Sequence, residues 1–337
     1  MSLSSILLAV SLTLESAVCA FSAGAGSNNS PLNGETGENL LPTSDTLSIC
    51  FVGDVLLDRG VRKFVERRTA QFHLKDSSQA VNYLFTSRID SLFRSSQLVV
   101  ANLECPATEI KAPVYKRFNF RGEPTWLSVL HQHGITHCNL ANNHSIDQGR
   151  KGLLSTIHHI QATGMIPFGA GKNQEEAQQP ILLSNKPRKV FLLASVQMAL
   201  ENYPLLPNRP SVSQMTIEKL VKSIKTLKSK HPGCVVLVSL HWGAEHTSQP
   251  TAQQRMQAHN LIDSGADALI CHHTHTLQTS ERYKGKPIFY SIGNFIFDQT
   301  RPINTKAIAV QLKITKKNIS TQTFPIQIQN CIPHLIK

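Results

Sequence analysis

The sequence lacks the signatures of several common protein classes. Its 337 residues contain no Cys-x-x-Cys pair and no Gly-x-Ser-x-Gly motif. Gly164 and Gly169 have the spacing of a phosphate-binding loop, but Ala170 stands where that loop requires lysine. These absences argue against a thiolate zinc site, a nucleophile-elbow hydrolase and a P-loop nucleoside triphosphatase. The six cysteines after residue 20 are expected to be buried thiols that behave as small hydrophobic side chains, and one disulfide of undetermined pairing is the alternative if the protein is exported.

Aromatic residues are scarce, and basic residues are absent from the beginning of the chain. Aromatics make up 6% of the sequence, which is little material for stacking bases, so nucleic acid is disfavoured as a partner. Residues 1–48 contain four acidic and no basic residues, leaving 34 Lys and Arg against 18 Asp and Glu in 49–337, a net charge of +16. A body this basic is expected to attract polyanions, although a merely solubilising surface would have the same composition.

The composition of the first 46 residues predicts a signal peptide followed by a flexible linker. Residues 1–20 contain a nine-residue apolar run, about half the roughly 18 needed to cross a bilayer, and a small-residue cleavage site at 18–20. They predict a signal peptide, although no Lys or Arg precedes the apolar run. Residues 21–46, rich in Gly, Ser, Asn and Pro, predict a flexible linker. We expect an exported protein, periplasmic or on the outer face of the cytoplasmic membrane, with one folded domain at 47–337.

Within 47–337, short apolar runs alternate with helical patterns, which predicts an α/β layered domain. The clearest helix lies at 213–230, where Ile217, Leu220 and Ile224 repeat at helical spacing. Other helices are predicted at 150–163 and 251–264, the latter beginning at the N-cap candidate Thr251. Strands are predicted at 47–53, 97–103, 135–141, 189–195, 234–240, 267–271, 287–292 and 307–314.

Polar side chains follow six of these predicted strands. Ligands bind at the carboxyl ends of strands in an open α/β sheet, so these side chains are expected to share one pocket. The densest stretch is LICHHTHTLQ at 269–278, with three histidines in four positions. Neutral imidazole is the commonest protein metal ligand, so this stretch is interpreted as part of a metal site. The alternative interpretation is a polar loop that happens to be rich in histidine. The pocket candidates are Asp54, Arg59, Asn102, Glu104, Asn143, His144, Asp147, His241, Glu245, His272, His273, His275 and Asn294.

The mixture of oxygen and nitrogen ligands predicts the class of metal. Carboxylate, amide and imidazole donors without a cysteine pair suit Mn, Fe or Zn. Two divalent ions about 3.5–4 Å apart, bridged by one carboxylate, would form a clamp for hydrolytic displacement at phosphorus. The sequence therefore predicts a site for up to two divalent metal ions.

Six motifs, in chain order, carry a family resemblance. The segments GDVLLDR, VVANLECP, NLANNHSIDQG, SLHWGAEH, CHHTH and YSIGNFIFD resemble those of bacterial capsule synthesis proteins of the CapA type. That family is associated with poly-gamma-glutamate production and belongs to the calcineurin-like metallophosphoesterase superfamily. The resemblance spans about residues 47 to 300. It implies a four-layer α/β/β/α sandwich, in which two sheets lie between outer helices.

The resemblance also implies roles for individual residues. Glu104 falls where the superfamily has its bridging carboxylate, usually an Asp, and His144 falls where it has a general acid or charge stabiliser. The implied metal ligands are Asp54, Glu104, Asn143, His241, His273 and His275. The remaining pocket candidates are Arg59, Asn102, Asp147, Glu245, His272 and Asn294, of which His272 replaces the usual glycine.

One departure from the superfamily concerns the first metal. Its first motif is Asp-x-His, whereas Asp54 is followed by Val55 and Leu56. The change removes one imidazole, so the first site is expected to be weak or to fill only when substrate is present.

Two functions fit these residues. The first is a metal-dependent hydrolase acting on a phosphoester or, less favoured, on an amide of an anionic polymer such as poly-gamma-glutamate. The second is a non-catalytic component of a membrane-bound capsule assembly or export complex, which uses the pocket to hold a polyanion.

Overall fold

The computed structural model describes residues 45–336. The predicted signal peptide and most of the predicted linker lie outside this range. The described helices are α1 Arg59–Gln71, α2 Ser77–Val81, α3 Ser87–Arg94, α4 Trp126–Gln132, α5 Gly149–Ala162, α6 Gln174–Ala177, α7 Ile217–Lys230 and α8 Ala252–Asp263, with a 3-10 turn at Asn82–Leu84. The described strands are β1 Thr46–Val55, β2 Leu98–Leu103, β3 His137–Asn139, β4 Ile166–Phe168, β5 Ala170–Gly171, β6 Ile181–Ser184, β7 Val190–Val196, β8 Ser211–Val212, β9 Val235–His241, β10 Ala268–Ile270, β11 Ser280–Tyr283, β12 Lys286–Phe289, β13 Asn294–Ile296, β14 Lys306–Thr315, β15 Ile319–Gln329 and β16 Ile332–Leu335.

Most strands belong to two large mixed sheets. The first has the order β16-β15-β14-β1-β2-β3-β4, with β13 also pairing with β1, and the second has the order β11-β12-β10-β9-β7-β6. The run β1 to β4 is parallel, and so is the run β7, β9, β10 and β12. Each sheet therefore has one edge at which several carboxyl ends meet.

Side chains along each central strand point alternately towards the other sheet and towards the helices, so the sheets and helices form four layers. In β1, Leu47 and Ile49 pack between the sheets against residues such as Val235 of β9. The alternate side chain Val52 faces the other way, into a core shared with α1, α3 and α4. In β9, Val236 likewise faces α7 and α8. The predicted α/β/β/α sandwich is confirmed, because each sheet buries one face on the other sheet and one face under helices.

The predicted helices are present, with one boundary corrected. The helix predicted at 213–230 begins only at Ile217, because the side chain of Thr216 caps it by accepting a hydrogen bond from the Lys219 backbone. Thr251 caps α8 as predicted, in a reciprocal capping box with Gln254.

Two predicted strands are shorter than their apolar runs. The strand predicted at 135–141 is confined to β3, which ends at Asn139. The strand predicted at 287–292 ends at Phe289, after which the chain crosses to the first sheet and pairs β13 with β1. This crossing carries Asn294 to the strand that holds Asp54.

Two further properties concern the described range as a whole. Its six cysteines are all free thiols and five are buried, as expected of small hydrophobic side chains. No helix among residues 45–336 is long and apolar enough to span a bilayer.

Candidate metal centre

The carboxyl ends of the parallel strands deliver the predicted ligands to one place. Asp54 lies near the end of β1, Glu104 directly after β2, and His241 at the end of β9. All three side chains are fully buried. The histidine cluster follows β10, and His273 and His275 adopt positive φ values of 98° and 53° in this turn. Such backbone conformations are uncommon for residues with a side chain and are concentrated at functional sites.

Two groups of potential ligands share one carboxylate. Glu104, His241 and His273 offer ligand atoms that all lie within 4.8 Å of one another, and so do Asp54, Glu104 and His275. Because Glu104 belongs to both groups, the arrangement matches a pair of cations bridged by one carboxylate. The structure therefore brings together the side chains that the sequence analysis proposed as ligands.

The surroundings of His241 show why a cation fits. Its Nε2 atom lies 2.9 Å from Asn143 Oδ1, 3.1 Å from His273 Nδ1 and 3.4 Å from Glu104 Oε1. One ring nitrogen has at most one proton to donate, so it cannot satisfy three acceptor-type atoms at once. A divalent ion would satisfy all four, and carboxylate, amide and imidazole together suit Mn, Fe or Zn.

Unpartnered carboxylate oxygens give a second test of fit. Both oxygens of Glu104 and the Oδ2 atom of Asp54 are buried without a hydrogen-bond partner. The nearest imidazoles, such as His275 with Nδ1 at 3.3 Å from Asp54 Oδ2, approach at poor hydrogen-bonding angles. Burying charged oxygens in this way is costly unless they are paired or coordinate a metal. The residues present therefore fit divalent metal.

Burial and mutual repulsion separate the pKa values of the two carboxyl groups. Burial, and then the neighbouring Asp54 carboxylate, raise the pKa of Glu104 well above its usual value. Burial also raises the pKa of Asp54, but the close imidazole groups of His272 and His275 outweigh it and lower that pKa well below its usual value. Without metal, one carboxyl holds a proton beside an ionised one, and a bridging cation would displace that proton.

The imidazoles also have shifted pKa values. Burial, followed by the neighbouring His273, lowers the pKa of His241 well below its usual value. Burial, followed by His275, lowers the pKa of His273 to about 3. Burial lowers the pKa of His275 too, but Asp54 outweighs it and raises that pKa. His241 and His273 are therefore neutral at physiological pH, the form that binds a metal.

Asparagine side chains hold the ligands in place. Asn102 Nδ2 donates to Asp54 Oδ1 at 2.8 Å, and Asn142 Nδ2 donates to Asn102 Oδ1 at 3.2 Å. Asn294 Oδ1 lies 2.9 Å from His275 Nδ1 and accepts its proton, which leaves Nε2 of that ring as the ligand atom. Partners of this kind fix the tautomer and orientation of metal-binding histidines. Asn102 and Asn294, predicted only as pocket residues, thus have defined contacts.

His144 is oriented by an acidic residue and a lysine. Its Nδ1 atom lies 2.9 Å from Asp147 Oδ2, and its ring packs 4.3 Å from that of Phe120. Lys116 Nζ contacts Asp147 Oδ1 at 2.5 Å and the Asn143 carbonyl oxygen at 2.9 Å. Burial lowers the pKa of His144 more than Asp147 raises it. Lys116 was not predicted from the sequence, because a single lysine in an irregular segment carries no pattern.

Leu56 stands where the superfamily has the histidine of Asp-x-His, and a different histidine lies near Asp54. The Leu56 side chain is fully buried in the hydrophobic core. His272 places its Nδ1 atom 3.2 Å from Asp54 Oδ1, and this buried nitrogen has no aligned hydrogen-bond partner. His272 therefore brings an imidazole to Asp54 from the histidine cluster instead of from position 56.

A cavity of about 300 Å³ opens next to these residues. Arg59, held by Asp298 at 3.0 Å, and Glu245 both line it. His246 and Arg301 also line it and were not predicted. The cavity therefore presents both cationic and acidic side chains beside the ligand groups.

Comparison with known proteins identifies the family. The model of the bacterial capsule synthesis protein PGA_cap family matches residues 48–299. The chain belongs to this family. Its PGA_cap relatives include the PGA biosynthesis protein CapA of Bacillus subtilis (strain 168), 30% identical over 299 residues that cover 88% of this chain and 75% of the relative. The capsule biosynthesis protein CapA of Bacillus anthracis is 28% identical over 298 residues, covering 86% and 69%.

Solved structures also resemble the PGA_cap chain. The NAD nucleotidase of Haemophilus influenzae superposes with a TM-score of 0.46 at 11% identity, covering 84% of this chain and 56% of that one. The family resemblance stated from the six motifs is confirmed by the family match and by the CapA relatives.

Proposed function

We propose that this protein is a metal-dependent hydrolase of the phosphoesterase type that acts in the synthesis or export of an anionic capsule polymer such as poly-gamma-glutamate. The observation that carries the proposal is the pair of ligand groups sharing Glu104. Family membership supports the link to capsule synthesis.

One set of side chains would bind the metal ions. These are the side chains of Asp54, Glu104, Asn143, His241, His273 and His275. Divalent ions, when bound, supply Lewis-acid charge and lower the pKa of bound water.

The other cavity residues orient and protonate the substrate. His144 follows the ligand candidate Asn143 and is placed to give a proton to a leaving oxygen or to stabilise charge on the transferring group. Asp147 fixes the orientation of His144 through Nδ1. Arg301 lines the cavity without an ion pair among the described residues and can contact an anionic group of the substrate, whereas Arg59 is paired with Asp298.

We also propose where in the cell the protein works. The protein is exported and works at the outer face of the cytoplasmic membrane or in the periplasm, beside membrane-bound capsule synthesis machinery. The apolar run in residues 1–20 supports export, and the net charge of +16 on residues 49–337 suits work on an anionic polymer.

A second candidate function rests on Leu56. The chain lacks the imidazole that the first motif of the superfamily supplies, and a protein with one firm and one weak metal site would be suited to hold a polyanion without cleaving it. In that case the protein is a non-catalytic component of a capsule assembly complex.

His144→Ala separates the two functions. The variant should keep its metal, measured by elemental analysis after loading with Mn, Zn, Fe or Mg, because His144 is not among the proposed ligands. It should lose about 10²–10⁴-fold in phosphodiesterase turnover, because proton transfer contributes about that much. His158→Ala, an exposed change in α5, is the control and should keep full activity.

Two results together would contradict the hydrolase proposal. The first is that the native protein shows no metal-dependent cleavage of any phosphoester or of polyglutamate. The second is that a His144→Ala strain makes normal capsule. That combination would establish the binding component instead.

A further inference from the structure

A second cavity, of about 700 Å³, lies among basic side chains. Its cationic side chains come from three separate turns, and none of its lining residues is acidic. We call it the basic pocket and define it by Arg188, Lys189, Lys230, His231, Lys316 and Lys317.

The basic pocket lies at the opposite edge of the sheets from the metal centre. Lys189 precedes β7, His231 precedes β9, and Lys316 follows β14, which is antiparallel to β1. The metal ligands, in contrast, follow the carboxyl ends of β1, β2, β9 and β10. The seven residues of β9 alone separate the two edges by roughly 20 Å, at about 3.3 Å per residue.

The charges of the basic pocket are largely uncompensated. Among the six residues, the described part of the chain shows an ion pair only for Lys316, 3.2 Å from Asp45, and both of these side chains are highly exposed. An exposed pair of this kind contributes little and yields to a competing anion. The acidic Asp267, in contrast, is already engaged by Lys228 and lies outside the pocket.

Two of the side chains are held in place before any ligand arrives. Arg188 donates from Nε to the Gly233 carbonyl oxygen at 2.7 Å, which fixes the guanidinium group. His231 stacks on Phe191 with ring centroids 5.1 Å apart, and Lys189 Nζ lies 3.4 Å from its Nδ1 atom. Preorganised donors lose less conformational entropy when they bind a ligand.

The shape and the donor type point to one class of ligand. The cavity is open to solvent and has room for a segment of chain, and its lysine side chains are exposed to such a ligand. Four of the five permanent cations are lysines, whose point charges on flexible stems can follow successive carboxylates of a flexible polymer. The lining also lacks the aromatic rings on which nucleic-acid bases stack.

We propose that the basic pocket binds a segment of an anionic polycarboxylate chain, and so holds the polymer at a point remote from the metal centre. Only the identity of the polymer as poly-gamma-glutamate rests on the proposed function. The binding itself follows from the charge and shape of the pocket.

Binding of fluorescent poly-gamma-glutamate to the full chain, measured by anisotropy, tests the proposal. The triple variant Lys189→Ala, Lys230→Ala, Lys317→Ala should bind about tenfold more weakly, because each exposed cation contributes up to about fivefold. Its salt dependence should also be weaker. The matched control removes the same charge from exposed positions outside the pocket, with Lys151→Ala, Lys172→Ala and Lys222→Ala, and should bind nearly as the native protein does.

The remaining outcomes are decisive. Equal weakening by both triple variants would overturn the proposal in favour of a general charge effect. It is also overturned if phosphatidylglycerol vesicles or a single-stranded oligonucleotide bind through these lysines while the polymer does not. The pocket variant should keep its metal content, and His275→Ala should keep polymer binding, so a failed hydrolase proposal remains distinguishable from a failed pocket proposal.

Discussion

At the scale of single residues, the metal centre depends on the positions of particular histidines in the fold. His241 and His275 belong to different ligand groups, and each lies beside Glu104. His158 and His159, on α5, belong to neither group. The number of imidazoles in the chain therefore predicts nothing about metal content, but their position does.

His241→Ala and His275→Ala should each lose bound metal, because each removes one nitrogen from a group of three ligand candidates. His158→Ala and His159→Ala should retain the metal-to-protein ratio of the native chain. Elemental analysis of the four purified variants provides the measurement. Equal metal in all four would show that the buried histidines serve packing only.

His272→Ala should selectively weaken the site at Asp54. Residues that support a metal ligand typically contribute about 10–100-fold in metal affinity, and His272 lies 3.2 Å from Asp54 Oδ1. We expect metal titration to show one weakened site and one unchanged site. His246→Ala, at the edge of the cavity, is the control and should leave both sites unchanged. Loss of both metals together would contradict a role confined to Asp54.

At the scale of elements, the crossing of the chain from β12 in the second sheet to β13 beside β1 in the first connects the two sheets at the metal centre. Asp54 pairs with Asn294 in this ladder, and the Asp54 backbone donates to the Gly293 carbonyl oxygen at 3.2 Å. A Cβ atom at Gly53 would lie 2.0 Å from that oxygen, far inside van der Waals contact. Only glycine at position 53 allows the backbones to approach this closely.

Gly53→Ala should therefore separate β13 from β1, lowering the free energy of unfolding by about 1–3 kcal/mol or more and reducing bound metal. Gly285→Ala is the control, since its Cβ would meet open space and its positive φ of 76° costs only about 1–2 kcal/mol. Urea denaturation and elemental analysis of both variants make the comparison. Unchanged metal in Gly53→Ala would show that the ladder does not position the ligands.

At the scale of the whole molecule, a buried histidine away from the metal ligands connects pH to stability. His137 lies in β3, and burial lowers its pKa to about 4. The unfolded chain binds a proton there near the ordinary value of about 6.5, so the unfolded state takes up more protons between the two values. Stability from this group is complete above about pH 6.5 and is lost as the pH falls towards 4.

His137→Gln should remove that part of the acid sensitivity. The free energy of unfolding of both proteins should fall between pH 7 and about pH 4. The decrease should be about 3 kcal/mol smaller for the variant, because one pKa unit corresponds to about 1.4 kcal/mol. Urea denaturation of the metal-free proteins at both pH values provides the measurement. Parallel pH profiles for the two proteins would contradict this assignment.

Local patterns were sufficient for much of the architecture. The helical spacing around Ile217 and the cap at Thr251 predicted α7 and α8, because these signals lie within one element. The helices between residues 59 and 132 and the strands β15 and β16 were not predicted. The burial pattern of β15 is irregular, with several exposed residues at an edge of the sheet, so it lacks a clear hydrophobic periodicity.

The sequence by itself determined the family, the layered α/β fold and the set of polar residues at the strand ends, because motif order and hydrophobic periodicity are local properties. Only the tertiary structure decided that Glu104 is common to both ligand groups, that Lys116 supports Asp147, and that His272 rather than position 56 brings an imidazole to Asp54. Such contacts join residues that are distant in the chain, and they form only where the two sheets and their turns pack together.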